Sequence, residues 1–368
     1  MENKEMTKEG KKNNTIRKAI LIGLTIVFFA CILGYVKQEK DRQKKNKLLR
    51  NTESRKNICV EYVDEHVTGK YGPSYFESEN RGFFKNGYIS YKGQKYKRNT
   101  AVKAYLFMGV DREGSLQKPV TVPFTGGQTD ILWLIAFDTA NEKARVVQFQ
   151  RDSMTPVNIT DKNGRIRYKE LTEITVAYGY GDGSTVSADY TKESLSYLLD
   201  GLTFDGFLAI PFNSAATLTE HVGGVPVKIG HLETDMGYKE GETVTLKGEE
   251  AVQFVRIRDM FADGGAEMRM NKHERFFKSF EKQTKKSLKT NPNVIHEMFT
   301  DIEDDMLTDI PKGDYVKLAN TFAKGKSVSD SIITPEGTLD SSQIYEAFYP
   351  DMDKLHNLIV ELFYRPVE

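Results

Sequence analysis

One feature limits what this chain can fold into before any other is considered. Residues 19–36, AILIGLTIVFFACILGYV, run without a charged side chain. A run of about 18 apolar residues is close to the shortest helix that crosses a bilayer, and only a self-satisfied backbone is tolerated there. Arg17 and Lys18 precede the run and Lys37 follows it. No small-residue cleavage site comes after it, so it reads as an uncleaved anchor rather than a removed signal peptide. Lys37, Lys40, Arg42, Lys44, Lys45, Lys47 and Arg50 crowd the far flank as densely as the near one. Flanking charge therefore assigns no orientation, although large downstream domains translocate largely regardless of it. The expected organisation is a short cytoplasmic N-terminus (1–18), a transmembrane anchor (19–36), a basic stalk with a small accessory hairpin (37–99) and one large domain (100–368).

Charge separates the two ends of the chain. The 368 residues hold 52 basic and 52 acidic side chains, but residues 1–50 carry 13 of the former and 5 of the latter. The remainder is therefore net acidic by eight charges. An acidic body excludes nucleic acid as the natural partner, because that partner requires a basic footprint. Cys31 and Cys59 are the only cysteines, and one lies inside the anchor, so no intrachain disulfide framework is possible.

Beyond residue 100, strand and helix signals alternate. AYLFMGV (104–110) is a buried strand running into Asp111. ILWLIAFD and RVVQFQ, joined by TANEKA, form an antiparallel hairpin whose two open ends carry Asp130 and the pair Arg151–Asp152. ISYKGQKYKRN (89–99) alternates around Lys-Gly as a smaller hairpin. Helices are expected at 191–201, at NSAATLTEHVGG behind an Asn213 cap, at 248–259 with Arg256 and Arg258 in the last turn, from about Arg269, and at YPDMDKLHNLIVELF. FLAI, VPVKI and SIIT read as strands. This alternation implies an α/β domain with a mixed central sheet covered by helices on both faces.

Carboxylates at the strand ends, Asp111, Asp130 and Asp152, invite a hard cation, though each alone also suits a turn or a cap. Arg151, Arg256, Arg258 and Arg269 lie at element ends, where guanidinium forks can converge on phosphate or carboxylate oxygens. On the helix from Arg269, positions 269, 272, 273, 276 and 280 share a face: Arg, Lys, His, Phe, Phe. His273 reads as a packed core histidine and His221 as structural; Phe276 and Phe280 either line an apolar trench or fill the core. No GxSxG, HExxH, P-loop or Cys/His metal spacing is present. Carboxylates and arginines without a nucleophile point to metal-assisted transfer on a phosphate ester.

In this order the residues resemble the LytR-CpsA-Psr family of membrane-anchored cell-wall phosphotransferases. FMGVDREGS, GGQTDILWLIAFD, QFQRDSM, VGGVPV, LKGEEAVQFVRIRD and RMNKHERF carry the likeness. The resemblance implies transfer of an anionic glycopolymer, of the teichoic-acid or capsule kind, from a polyprenyl diphosphate carrier to peptidoglycan outside a Gram-positive membrane. Asp111 and Asp130 would hold Mg2+. Arg151, Arg256, Arg258 and Arg269 would clamp the diphosphate, with Gln128 and Lys272 beside them and Phe276 and Phe280 along the lipid. Asp152 would orient Arg151 or take the acceptor's proton. The chain departs from the family pattern at Arg112, one residue nearer the first aspartate than usual, at Gln128 and Gln150, and in the last motif. There Ala266 stands for Asp, Lys272 for Arg and His273 for Gln, with Glu267 a possible substitute acid. Arginine at 272 would restore the family's planar fork. A lipid-binding envelope protein that keeps the pocket without turnover is the alternative these departures suggest.

Overall fold

A computed structural model describes residues 87–122, 124–257, 265–324, 332–340 and 346–367, all within one compact unit. The 19–36 run, the stalk up to residue 86 and Arg258 lie outside the described residues. Among the described residues, no helix is long and apolar enough to cross a membrane.

Strand β1 (Tyr88–Tyr91) turns tightly at Lys92–Gly93 into β2 (Gln94–Arg98). Next come β3 (Val102–Val110), β4 (Thr129–Asp138) and β5 (Lys143–Phe149), then the hairpin of β6 (Met154–Thr160) and β7 (Ile166–Glu173). A 3-10 turn (Ile174–Tyr180) leads to α1 (Thr185–Leu198), β8 (Gly206–Pro211) and α2 (Ser214–His221). Then β9 (Val225–Lys228) and β10 (Thr243–Leu246) pair antiparallel, and α3 (Glu249–Arg256), α4 (Gly265–Ser287) and α5 (Val294–Ile302) follow. The chain ends through β11 (Leu307–Thr308), α6 (Lys312–Lys324), β12 (Ile332–Ile333), β13 (Gly337–Asp340), β14 (Ala347–Pro350), α7 (Met352–Phe363) and β15 (Tyr364–Pro366).

The central sheet runs β11-β8-β3-β4-β5-β12. It is mixed: β3, β4 and β5 meander antiparallel, while β8 joins β3 and β12 joins β5 in parallel. Side chains alternate across it with the strand period of two. Tyr105, Trp133, Ile135, Val146 and Leu208 cluster on one face with Ile302, Tyr315 and Leu318 from α5 and α6. Leu106, Met108, Leu132, Leu134 and Val147, one position out of phase, are fully buried on the other. Outside that first cluster, α7 touches β3 and the 3-10 turn touches β4. The expected mixed α/β sheet with helices is therefore present.

Several expected boundaries move. Helix α1 begins at Thr185, six residues before the expected start, because the Asp182 carboxylate accepts from the Ser184 and Ser187 amides and nucleates the first turn. Asn213 occupies the cap position of α2 but makes no capping bond with its side chain. Helix α3 ends at Arg256, and Ile257 is already extended. Helix α4 begins at Gly265, which places Arg269 one turn inside rather than at the tip. The β1–β2 hairpin is also more than an accessory: β15 pairs with β2 and joins it to the C-terminus.

Candidate active site

The register of the central sheet builds the site. Gly109 pairs with Ile131 but Val110 pairs with Thr129, so Asp130 is the extra residue of a β-bulge. Bulges re-aim a side chain at a strand end. The backbone has room for it because position 109 is glycine: a Cβ there would meet Ile131 Cβ at 2.9 Å and Phe212 Cε1 at 3.1 Å. Pairing resumes where the Asp111 amide donates to the Gln128 carbonyl at 2.9 Å. Gly127, at φ +92°, packs on Asp111 so closely that a Cβ would lie 2.8 Å from its carbonyl oxygen. On the other side of β4, Leu132 pairs with Phe149, which carries Arg151 opposite Asp130 two residues further along.

Charges converge at this edge. Arg151 Nη1 donates to Asp130 Oδ1, Nη2 donates to Gln128 Oε1 at 2.9 Å, and Nε lies 3.3 Å from Asp152 Oδ1. Arg269 reaches in from α4 with Nη1 3.0 Å from the same Asp130 oxygen. Arg256, in the last turn of α3, places Nε 3.2 Å from Asp111 Oδ1 and donates through Nη1 to Glu113 at 3.0 Å. The Arg151, Arg269 and Asp130 side chains are only 13%, 11% and 6% exposed. These pairs therefore sit in a medium where a charge is costly unless matched. Asp152 shows the consequence: burial pushes its carboxyl up to about 6, despite the opposing pull of the Arg151 guanidinium. An acid with that affinity for protons suits base catalysis near neutral pH.

A cavity of about 270 Å³ lies against the cluster, between the sheet and helices α4 to α6. Its lining is almost wholly apolar and includes Phe107, Trp133, Leu208, Phe276, Phe277 and Phe280. Phe276 stacks on Phe280 with ring centroids 6.5 Å apart and planes within 9°. Both phenylalanines thus line an apolar space and also pack against the core cluster behind it. Ile131, Trp133 and His273 border this cavity and also the small pocket walled by Asp130, Arg151 and Arg269, so the two are neighbours that share these three residues.

Other expected residues stand elsewhere. Gln128 serves Arg151 as an acceptor and holds its fork in place. The Lys272 side chain is fully buried, with Nζ donating to the carbonyls of Val255 and Ile257, so its amine does not face the cleft. His273 is buried as expected; Nε2 donates to the Val255 carbonyl at 2.9 Å, and burial pushes the ring down to about 3, keeping it neutral. Arg112 turns away and donates to the carbonyls of Gly183 and Lys118. Glu267 is exposed in the first turn of α4. His221 pairs with Asp301 at 2.8 Å, in keeping with a structural role. Sequence reasoning missed Trp133, whose indole N–H donates to Gln148 at 3.0 Å and whose ring walls the cavity. Its signal in the sequence was the chain's single tryptophan, set among aliphatic neighbours in ILWLIA.

Among the described residues, no group of three His, Cys, Asp or Glu side chains gathers as a metal cluster. Magnesium needs fewer: one or two carboxylates, with water and phosphate oxygens completing the octahedron. The ion pairs of Asp111 and Asp130 run through Oδ1. Asp111, just past the end of β3, and Asp130, in the bulge of β4, are hard oxygen donors of the type such an ion takes.

Three solved structures share the fold. B. subtilis TagV is 18% identical, with 71% of this chain and 96% of that one covered at a TM-score of 0.50. TagT bound to LI-WTA is 19% identical, with 71% and 89% covered at 0.50. Protein gbs0355 from Streptococcus agalactiae is 20% identical, with 71% and 87% covered at 0.53. Among curated proteins nothing matches. The family model LytR_cpsA_psr matches residues 77–360, and the chain accordingly belongs to that family of phosphotransferases, known for moving glycopolymers to peptidoglycan.

Proposed function

We propose that this protein transfers an anionic glycopolymer from a polyprenyl diphosphate carrier to a hydroxyl of peptidoglycan, at the outer face of a membrane in which residues 19–36 form a single-pass anchor. The observation that supports the reading is an arginine–aspartate cleft beside an apolar cavity, the two sharing Ile131, Trp133 and His273. A ligand matched to both halves has a phosphate head and a long hydrocarbon tail. The TagT structure, which holds a ligand designated LI-WTA, supports the same class of donor.

In this reading Arg151, Arg256 and Arg269 exchange their aspartate partners for diphosphate oxygens, and the family resemblance assigns Arg258 the same role. Phe276, Phe277 and Phe280 hold the first isoprene units, each square ångström of apolar surface contributing roughly 25 cal/mol. Asp111 and Asp130 are the residues that would hold Mg2+, which supplies neutralisation of charge on the diphosphate. Asp152 accepts the proton of the acceptor hydroxyl as its oxygen bonds to the glycan-side phosphorus. The bond from that phosphorus to the bridging oxygen breaks, and polyprenyl monophosphate leaves. Positioning and charge neutralisation carry most of such a reaction.

The test is incubation of the full-length protein, in detergent, with a polyprenyl diphosphate glycan and an acceptor glycan, with and without Mg2+. The expected result is a phosphodiester-linked product and released polyprenyl monophosphate. Tight donor binding with no product under any metal condition would instead assign the protein to lipid binding without turnover.

A further inference from the structure

Lys272 and His273 are two of the positions where this chain leaves the family motif; His273 borders the cleft, whereas the fully buried Lys272 does not line it. Both side chains leave α4 one turn after Arg269 and converge on the end of α3. Lys272 Nζ donates to the Val255 carbonyl at 3.2 Å and to the Ile257 carbonyl; His273 Nε2 donates to the same Val255 carbonyl at 2.9 Å. A helix leaves its last carbonyls without internal partners, and cationic or N–H donors there satisfy them. The two carbonyls gripped by Lys272 flank a single residue, Arg256, whose guanidinium meets Asp111 at 3.2 Å. The turn that supplies the grip also carries Arg269, 3.0 Å from Asp130. The slot is closed: Lys272 is fully buried and His273 nearly so, with the amine 5.9 Å from the Phe254 ring centroid and the imidazole ring 5.8 Å from that of Phe212.

We propose that Lys272, seconded by His273, is a positioning residue that clamps the backbone on both sides of Arg256 and thereby sets the spacing of Arg256 and Arg269 across the anion site. It touches no substrate. The inference rests on the reading of the cleft as a diphosphate site, and it explains why lysine suits this position. A compact ammonium on a thin stem reaches two carbonyls inside a closed slot, whereas a planar guanidinium is bulkier and needs acceptors in its own plane. Arginine at 272 should therefore not rescue the site, contrary to the expectation from the family motif.

The test uses the full-length protein and inorganic pyrophosphate with Mg2+ as the probe. Lys272→Met and Lys272→Arg are each expected to weaken pyrophosphate binding about tenfold and to speed hydrogen exchange at the amides of Arg256 and Ile257. In an Arg256→Ala background, Lys272→Met should add no further loss, since the clamp acts through that residue. Wild-type affinity in Lys272→Arg, or fully additive losses in the double variant, would make Lys272 a direct charge contact and overturn the proposal. If Lys272→Met fails to fold, Lys272→Gln, which keeps an N–H donor on a shorter stem, is measured in its place with the same expectations. Absence of pyrophosphate binding by the wild type would refute the diphosphate reading, and exchange at residues 256 and 257 would then decide the clamp. Faster exchange in the variant supports it, and unchanged exchange overturns it.

Discussion

Asp152 shows how a single residue's chemistry is set by its neighbours. Its carboxyl sits beside Arg151, which would ordinarily lower its affinity for protons, yet burial wins and lifts it from 3.8 to about 6. A base with that value is mostly ionised at neutral pH and still basic enough to take a proton. Turnover should therefore rise with pH through about 6, and Asp152→Asn should lose it at least a hundredfold without a matching loss of donor affinity. Stability should move the other way. A raised folded-state pKa stabilises the fold fully below the ordinary value and loses that contribution as pH rises through about 6. Above that pH the wild type carries a buried charge that asparagine does not, so the variant should melt higher, by up to about 3 kcal/mol of stability at pH 8. The gain should shrink below pH 4. Thermal melts across that range, beside rate measurements, check both halves; a variant that is less stable at pH 8 would contradict the burial argument.

At the scale of elements, the site rests on a hairpin, a bulge and two helix ends, and these were unequally legible. The β4–β5 hairpin was plain from two apolar runs around a polar turn, and with it the meeting of Asp130 and Arg151. The bulge that aims Asp130 was not, because only Thr129 of β4 lies beyond it, too short a stretch to show the change of phase. Arg256 was readable as a helix-end cation. Lys272 was misplaced among the substrate contacts because helical spacing assigns a face but not what the facing element offers, and here it offers bare carbonyls. The β6–β7 hairpin and the pairing of β15 with β2 were missed; the latter joins positions more than 260 residues apart, which no local pattern encodes. Phe276 and Phe280 were left between trench and core, and in the structure they border the cavity while packing against the core cluster. One prediction belongs at this scale. Ala319, on α6, lines the cavity, and Ala319→Phe should fill part of it. Polyprenyl diphosphate affinity should fall about tenfold while that for inorganic pyrophosphate stays within twofold, because only the tail loses room. Equal loss for both ligands would separate the cavity from the lipid.

On the scale of the whole molecule, the acidic body and basic N-terminal segment suit a protein tethered at a membrane rather than one that reads nucleic acid. If the body lies outside, protease added to intact protoplasts should degrade it while a cytoplasmic marker survives. Complete protection would place it inside and remove peptidoglycan as the acceptor. The central claim, that this fold turns over its lipid rather than storing it, is tested most directly by measuring transfer and donor affinity together in wild type, Asp111→Ala and Arg151→Ala. Interactions confined to the transition state affect turnover alone, whereas a charge-assisted contact to the diphosphate serves ground and transition states alike. Asp111→Ala should abolish product while retaining donor affinity to within about tenfold, and Arg151→Ala should weaken both. Product formation that is independent of Mg2+ and equal in wild type and Asp111→Ala would contradict the account.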